Sequence, residues 1–291
     1  MKRAVVILAI LSLGILSFTV GAAAQTSTQP AKQNPPAAGQ AAPAPLAKRP
    51  PQAKTQPEFD AYKAAVTVAD PAAMEKAADD FATKFPDSEI RILLYQNAMR
   101  LYQNANNAEK TEAMGRKVLS LDADNPSALV IVAEVIAERT HDSDIDRDER
   151  FGEAISLAEK ATTTVDTDVQ VPAGTPQEKI DAAKGYMRSQ AYSIIGTIDF
   201  KKDDYAGAQA NLQKSIDAYP SDPDPVVVLR LALTLDKQGK YPEALKVANR
   251  AVELTQDNTA IGTPARHERD RLQQLTGGAA PPAQPQSPPK N

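Results

Sequence analysis

A stretch that repeats at a fixed interval restricts a chain more than composition does, because each copy must bury its apolar side against its neighbours. Such a stretch runs "FKKDDYAGAQANLQKSIDAYPSDP" over 200–223, and "DKQGKYPEALKVANRAVELTQDN" over 236–258 repeats it 36 residues later. Tyr241 falls on Tyr205, Ala244 on Ala208, Ala248 on Leu212 and Ala251 on Ser215. Upstream of each copy is a matching apolar segment: Tyr192, Ile195, Gly196 and Phe200 in one, Val228, Leu231, Ala232 and Leu235 in the other. A 3.6-residue period gathers each set on one stripe, so each unit reads as a helix, a short turn ("KDD" or "QGK") and a second helix. Gly196 or Ala232 on the first helix, and Ala208 or Ala244 on the second, allow close approach. The tyrosine that starts the second helix is expected to close over the hairpin.

Weaker copies precede these two. Residues 90–126 keep Tyr95 and Tyr102 on a first helix and Val118, Leu119 and Leu121 on a second, with Met99 where the small residue belongs and Thr111 in the alanine place. "PSALVIVAEVIAER" (126–139) supplies another first helix, and "FGEAISLAEKA" (151–161) its partner, with Ala154 in the alanine place. Earlier still, 58–70 and 71–89 form a pair that ends at Pro86.

This pattern, at a period near 34 residues, resembles the tetratricopeptide repeat. The best copies are 189–222 and 225–258, with weaker ones over 58–88, 92–125 and 126–161, the last carrying an acidic insertion at 140–150. The second good copy departs from the pattern at Val228 and Gln256. The resemblance implies an all-α, right-handed solenoid of stacked hairpins over 58–258. "GTPARHERDRLQQLTGG" then supplies a capping helix within 259–276, with Thr263 as cap, Pro264 in the first turn, Gly277 closing it and apolar contacts at Ala265, Leu272 and Leu275. Thr175 and Glu178 have capping-box spacing ahead of a long helix from about Pro176 to Lys201, and "TTTVDTDVQVPAG" before them reads as a loop.

The ends are different matter. Met1-Lys2-Arg3, an apolar run from Ala4 to Val20 and the small-residue site "GAAAQ" have the layout of a signal peptide over 1–24 cut after Ala24; if retained, the segment would act as an anchor. Residues 25–57 hold eight prolines, one leucine, no aromatic and no acid, and 277–291 hold five prolines, so both read as disordered tails. The chain has no cysteine, which excludes disulfides, a lipid-bearing cysteine at the cut, and thiolate chemistry. The sequence therefore predicts an exported protein of the periplasm or cell envelope.

All 37 acidic residues lie within 58–276, against 26 of the 33 basic ones, a net charge of −11 there. Such a body is a poor match for nucleic acid. The eight tyrosines, with no tryptophan, fit hairpin packing better than base stacking. Asp142, Asp144, Asp146, Asp148 and Glu153 fall at positions 1, 3, 5, 7 and 12, the ligand spacing of a calcium-binding EF-hand loop. Arg147 occupies the position that needs glycine, so a solvated acidic loop is the competing reading. His141 and His267 form no metal pair, and neither a nucleophile elbow nor a phosphate-binding glycine loop occurs. No enzyme and no cofactor are expected.

The resemblance also implies that first helices line a concave binding side, which would expose Gln96, Arg100, Gln103, Ser193, Thr197, Lys201, Leu229, Leu233 and Lys237. Chaperone-binding members of that family grip a C-terminal carboxylate with lysine and asparagine where this chain has Ser193 and Thr197, so that ligand class is disfavoured. The expected function is a non-enzymatic scaffold holding a partner's peptide or helix. The alternative is an envelope-organising protein that acts through its proline-rich tether. Membrane contact is expected only if the N-terminal apolar segment stays attached.

Overall fold

The computed structural model describes residues 48–169 and 174–277. These form eleven helices and, among the described residues, no strand: α1 Gln56–Val66, α2 Pro71–Lys84, α3 Arg91–Asn104, α4 Ala108–Leu121, α5 Pro126–Arg139, α6 Arg147–Thr164, α7 Gln177–Lys201, α8 Tyr205–Ala218, α9 Pro225–Lys237, α10 Tyr241–Glu253 and α11 Gly262–Leu275. Each helix packs on the next, and in addition α1 meets α3, α5 meets α7 and α7 meets α9. Consecutive helices therefore pair as hairpins and the hairpins stack as an α-solenoid. The contacts between successive odd helices put them on the tighter, concave side. The signal-peptide segment and the C-terminal tail lie outside the described residues.

The hairpin turn is built the same way three times. Asn106, Asp203 and Gly239 have φ of 55°, 60° and 71°, the left-handed conformation that ends a helix. The next residue's amide then reaches back five residues: Asn107 to the Tyr102 carbonyl, Asp204 to Asp199 and Lys240 to Leu235. Asn and Asp tolerate this conformation and glycine meets no steric cost, which explains why three different residues serve. Asn107 and Asp204 also cap the following helix, accepting from the Lys110 and Gly207 amides.

Close approach inside a hairpin is set by one pair of facing positions. A Cβ on Gly196 would lie 2.8 Å from Leu212 Cγ, so α7 gives up its side chain to make room for that of α8. In the hairpin of α3 and α4 the exchange is reversed. The large residue is Met99, and the small one is Gly115, whose absent Cβ would meet Val132 Cγ2 and lie 3.3 Å from the Met99 sulfur. In the last hairpin both members are small, Ala232 and Ala248, each fully buried. Thr111 stands where alanine was expected and is buried, its hydroxyl donating to the Asn107 carbonyl at 2.8 Å. The degenerate copy thus conserves volume and hydrogen bonding by other means.

Two polar rungs tie α2 to α3 and α4. Asp79 accepts from Tyr95 (2.8 Å) and Lys117 (2.6 Å), and Glu75 accepts from Tyr102 (2.6 Å) and Lys110 (3.0 Å). Burial alone would raise both carboxyl pKa values, but these hydrogen bonds and cations outweigh it and hold both below the usual range. Burial, then Glu75, pushes the Tyr102 hydroxyl up to about 12.

Several local expectations need correction. Residues 48–57, assigned to a disordered tail, are described: α1 begins at Gln56, and 48–55 lies along the array because its cations find carboxylates there. The helix α6 starts inside the expected insertion and continues through Thr162–Thr164, which shortens the loop after it. Thr175 and Glu178 form no capping box, since Pro176 is the N-cap of α7 and there is no side-chain cap. The helix α11 starts at Gly262, where Thr259 accepts from the Gly262 amide in place of the expected Thr263 cap. Ala265 and Leu272 are buried as expected, but Leu275 is exposed. Tyr205 rests edge-on against Phe200, centroids 5.6 Å apart, whereas Tyr241 remains exposed and closes nothing.

Gly115→Leu would place two large side chains opposite each other. We expect it to cost about 1–3 kcal/mol, a Tm fall of roughly 2–12 °C for an array of this size. Val132→Ala in the same chain should recover part of that loss, since Val132 of α5 is the nearest obstacle and Met99 the next, and strictly additive melting shifts would refute the contact. A second expectation concerns acid. Because the folded pKa values of Glu75 and Asp79 are depressed, their stabilisation is complete above the unfolded values near 4 and disappears as pH falls through the folded ones. Glu75→Gln with Asp79→Asn should therefore shrink the Tm difference between pH 7 and pH 3. Parallel curves for variant and parent would contradict the assignment.

Candidate functional site

The concave side presents one stripe from each odd helix, and its character changes along the array. At the first hairpins, Gln96, Arg100 and Gln103 of α3 are half-buried. Arg100 faces Tyr62 of α1 and donates to Asn97 Oδ1 at 3.1 Å, while Asn97 reaches the Met74 sulfur at 3.3 Å. Desolvation pulls the Arg100 pKa below its ordinary value, with Tyr62 opposing. Desolvation likewise raises the Tyr62 hydroxyl.

Farther along, α5 contributes Glu134 and Glu138, α7 contributes Ser193, Thr197 and Lys201, and α9 contributes Arg230, Leu233 and Lys237. Thr197 donates to the Ser193 carbonyl at 2.6 Å and accepts from Arg230 Nη1 at 2.8 Å, a bond that joins α7 to α9. The Lys201 ammonium donates to the Ala137 carbonyl at 2.7 Å, in the last turn of α5, where the helix dipole favours a cation. It also sits 5.4 Å from the Phe151 ring, over which the Arg147 guanidinium lies at 5.1 Å. Desolvation first, then the charge of Arg230, pulls the Lys201 pKa down, against the smaller attractions of Asp142 and Glu138.

Among the described residues, neither Arg100 nor Lys201 has a carboxylate within ion-pair distance. That is unexpected in a body with eleven excess acidic residues. About half of the described cations pair with carboxylates, as in Lys117–Asp79, Arg116–Glu153 and Lys160–Asp124.

Of the nine residues expected on this side, eight are partly or fully exposed and one is not. Leu229 is buried at 7% exposure within the core of the last hairpins. The stripe of α9 runs through Arg230, Leu233 and Lys237, one position on from Leu229, so Leu229 turns inward. Sequence reasoning missed Arg230, Asn97 and Tyr62. Spacing of three and four residues from Leu233 could have supplied Arg230, but the polar contact that places Asn97 against Met74 leaves no sequence signal.

The acidic segment does not bring the EF-hand-spaced carboxylates together, in line with the reading of it as a solvated acidic stretch. Asp148 and Glu153 belong to α6, and Glu153 pairs with Arg116 at 2.7 Å. Asp144 accepts from the His141 amide at 2.8 Å, and Asp142 lies 3.3 Å from Arg147, so these carboxylates turn to separate partners. Among the described residues no group of three or more His, Cys, Asp or Glu is placed to hold a metal ion, and no helix is long and apolar enough to cross a membrane.

Residues 199–263 match a family model described as tetratricopeptide repeat. They take in α8, the second helix of one of the two sharpest copies, and the whole of the other, α9 and α10. Similar solved structures include YrrB, a TPR protein with an unusual peptide-binding site, at 18% identity and a TM-score of 0.45, covering 69% of this chain and 85% of that one. Another is TTC0263, a thermophilic TPR protein of Thermus thermophilus, at 12% identity and a TM-score of 0.45, covering 72% and 98%. A third is Acl4, an assembly chaperone of RpL4, at 12% identity and a TM-score of 0.39, covering 76% and 98%. No curated protein sequence matches the chain.

The burial of Leu229 changes what mutation should do. Leu229→Asp would place a carboxylate in the core and is expected to destabilise the fold by about 3 kcal/mol or more. Leu233→Asp should cost less and Lys237→Glu close to nothing. Thermal melts followed by circular dichroism order the three, and equal losses would contradict the register of α9.

Proposed function

We propose that this tetratricopeptide-repeat protein is a non-enzymatic scaffold that works outside the cytoplasm and holds a carboxylate-bearing segment of a partner protein against its concave side. The observation that carries the reading is the pair of half-buried cations, Arg100 and Lys201, with no carboxylate within ion-pair distance among the described residues of a strongly acidic body. Burial disfavours the charged form of both, at Lys201 in spite of the more distant Asp142 and Glu138, and an Asp or Glu side chain delivered by a partner would relieve it at both positions. Arg230 and Lys237 add positive potential beside Lys201. Leu233 and Tyr62 offer apolar contact near each end, which suits an extended or amphipathic segment. The N-terminal pattern of basic residues, apolar run and small-residue cut supports export. A partner that delivers carboxylates also accounts for the absence of the lysine–asparagine pair at Ser193 and Thr197, since the cations sit elsewhere on the stripe.

The test places a photo-cross-linking residue at Gln96 or Lys237, with Lys246 on α10 as the outer-face control, in cells that produce the full chain. Cross-linked partner is expected from the two concave positions. Arg100→Gln with Lys201→Gln should reduce capture about tenfold, the equivalent of ~1.4 kcal/mol, with helical circular dichroism unchanged. Capture from Lys246 alone, or capture indifferent to both neutralisations, would overturn the proposal.

A further inference from the structure

Residues 48–55 connect parts of the molecule that are distant in sequence. The Lys48 amide donates to the Thr167 carbonyl at 3.1 Å. Its ammonium donates to Asp122 Oδ1 at 2.7 Å and lies 3.2 Å from Asp168 Oδ1. Arg49 pairs with Glu89 at 3.0 Å, and the Gln52 amide donates to the same carboxylate at 3.2 Å. Lys54 donates from its ammonium to the Asp87 carbonyl and from its amide to Glu58, both at 2.7 Å.

These anchors lie on three successive connections, those after α6, α4 and α2. Each joins an even helix to the following odd one, so all three lie on one edge of the stack. From Lys48 to Lys54 an extended chain reaches about 20 Å, which matches two hairpin steps at ~10 Å each. Pro50 and Pro51 keep that stretch extended and carry no amide hydrogen that would need a partner. The charges are also chosen for depth. The Asp122 side chain is only 10% exposed and its Oδ2 has no hydrogen-bond partner, which leaves Lys48 as its cation. Loss of Lys48 would strand a nearly buried carboxylate.

We infer that residues 48–55 are an electrostatic strap that fixes the rise of the first three hairpins along their loop edge, with Lys48 held at the junction of α6 and α7. The strap leaves the concave side open.

The chain has no cysteine, so spin labels can be introduced at Gln52→Cys and Ala123→Cys in the full protein and their separation measured by double electron–electron resonance. One narrow, short distance is expected in low salt. It should broaden in 1 M NaCl, where screening acts within about 3 Å, and in a Lys48→Glu, Arg49→Glu variant. A Lys48→Glu, Asp122→Lys exchange should narrow it again. Hydrogen exchange on the unlabelled chain gives a second reading: the Lys48 and Gln52 amides should exchange slowly in the parent and fast in the charge-reversed variant, while the helices stay protected in both. A broad distribution or fast exchange in the low-salt parent would overturn the strap. So would a narrow distance that survives charge reversal.

Discussion

The structure depends on one steric exchange: wherever two helices of a hairpin cross, one must give up a side chain so that the other can fill the gap. Gly196 gives way to Leu212, Gly115 to Val132 of the next hairpin and then to Met99, and Ala232 and Ala248 are both small and fully buried. Interiors pack at nearly constant density, so it is the sum at the crossing that matters and not the identity at either position. Once the crossing is fixed, the left-handed residue at the turn sets the hairpin's closure, and stacking of like hairpins brings successive odd helices into contact. The concave side is a consequence of that geometry.

The same exchange explains which parts of the fold could be read from residues. Met99 and Thr111 look like defects when each position is compared with a pattern, but they are sound once Gly115 and the Asn107 carbonyl are seen opposite them. A single sequence states what occupies a position and not what faces it. The repeat, the hairpins and the polar closing helix were legible because each rests on spacing within one segment. Leu229 was misplaced because one residue is 100° on a helix, enough to turn a side chain from groove to core. The aspartates at alternate positions from 142 to 148 imitate a loop ligand set, yet helix formation from Arg147 claims the last of them for solvent. Residues 48–55 were illegible for a different reason. Their composition argues correctly that they cannot form a core of their own, but it says nothing of carboxylates contributed by three other segments.

Charge placement links these observations. The array carries all of the chain's acidic residues, and left alone its edges would repel. Part of that charge is neutralised by rungs between neighbouring helices, such as Lys110 with Glu75, and part by the strap, whose cations come from outside the repeats. Arg100 and Lys201 take part in neither. They sit where odd helices crowd together, one bonded to an amide side chain and the other to a helix-terminal carbonyl. Neutral partners satisfy their hydrogen bonds, and the carboxylates that act on Lys201, Asp142 and Glu138, do so from beyond ion-pair distance, which is the condition in which a cation attracts an anion from elsewhere.

Edge and groove therefore serve separate purposes on one rigid stack. The strap occupies the connections between hairpins, and Arg100 and Lys201 lie on the helices that those connections deliver to the concave side. Because the strap runs along the connections and leaves the groove unfilled, the partner segment proposed above would meet Arg100 and Lys201 without displacing it. Lys48 lies beside Thr167 at the edge where α7 begins, whereas Lys201 ends α7 about 20 Å beyond Arg188, the α7 residue that pairs with Asp166, so the strap and the groove cations occupy opposite edges of the stack.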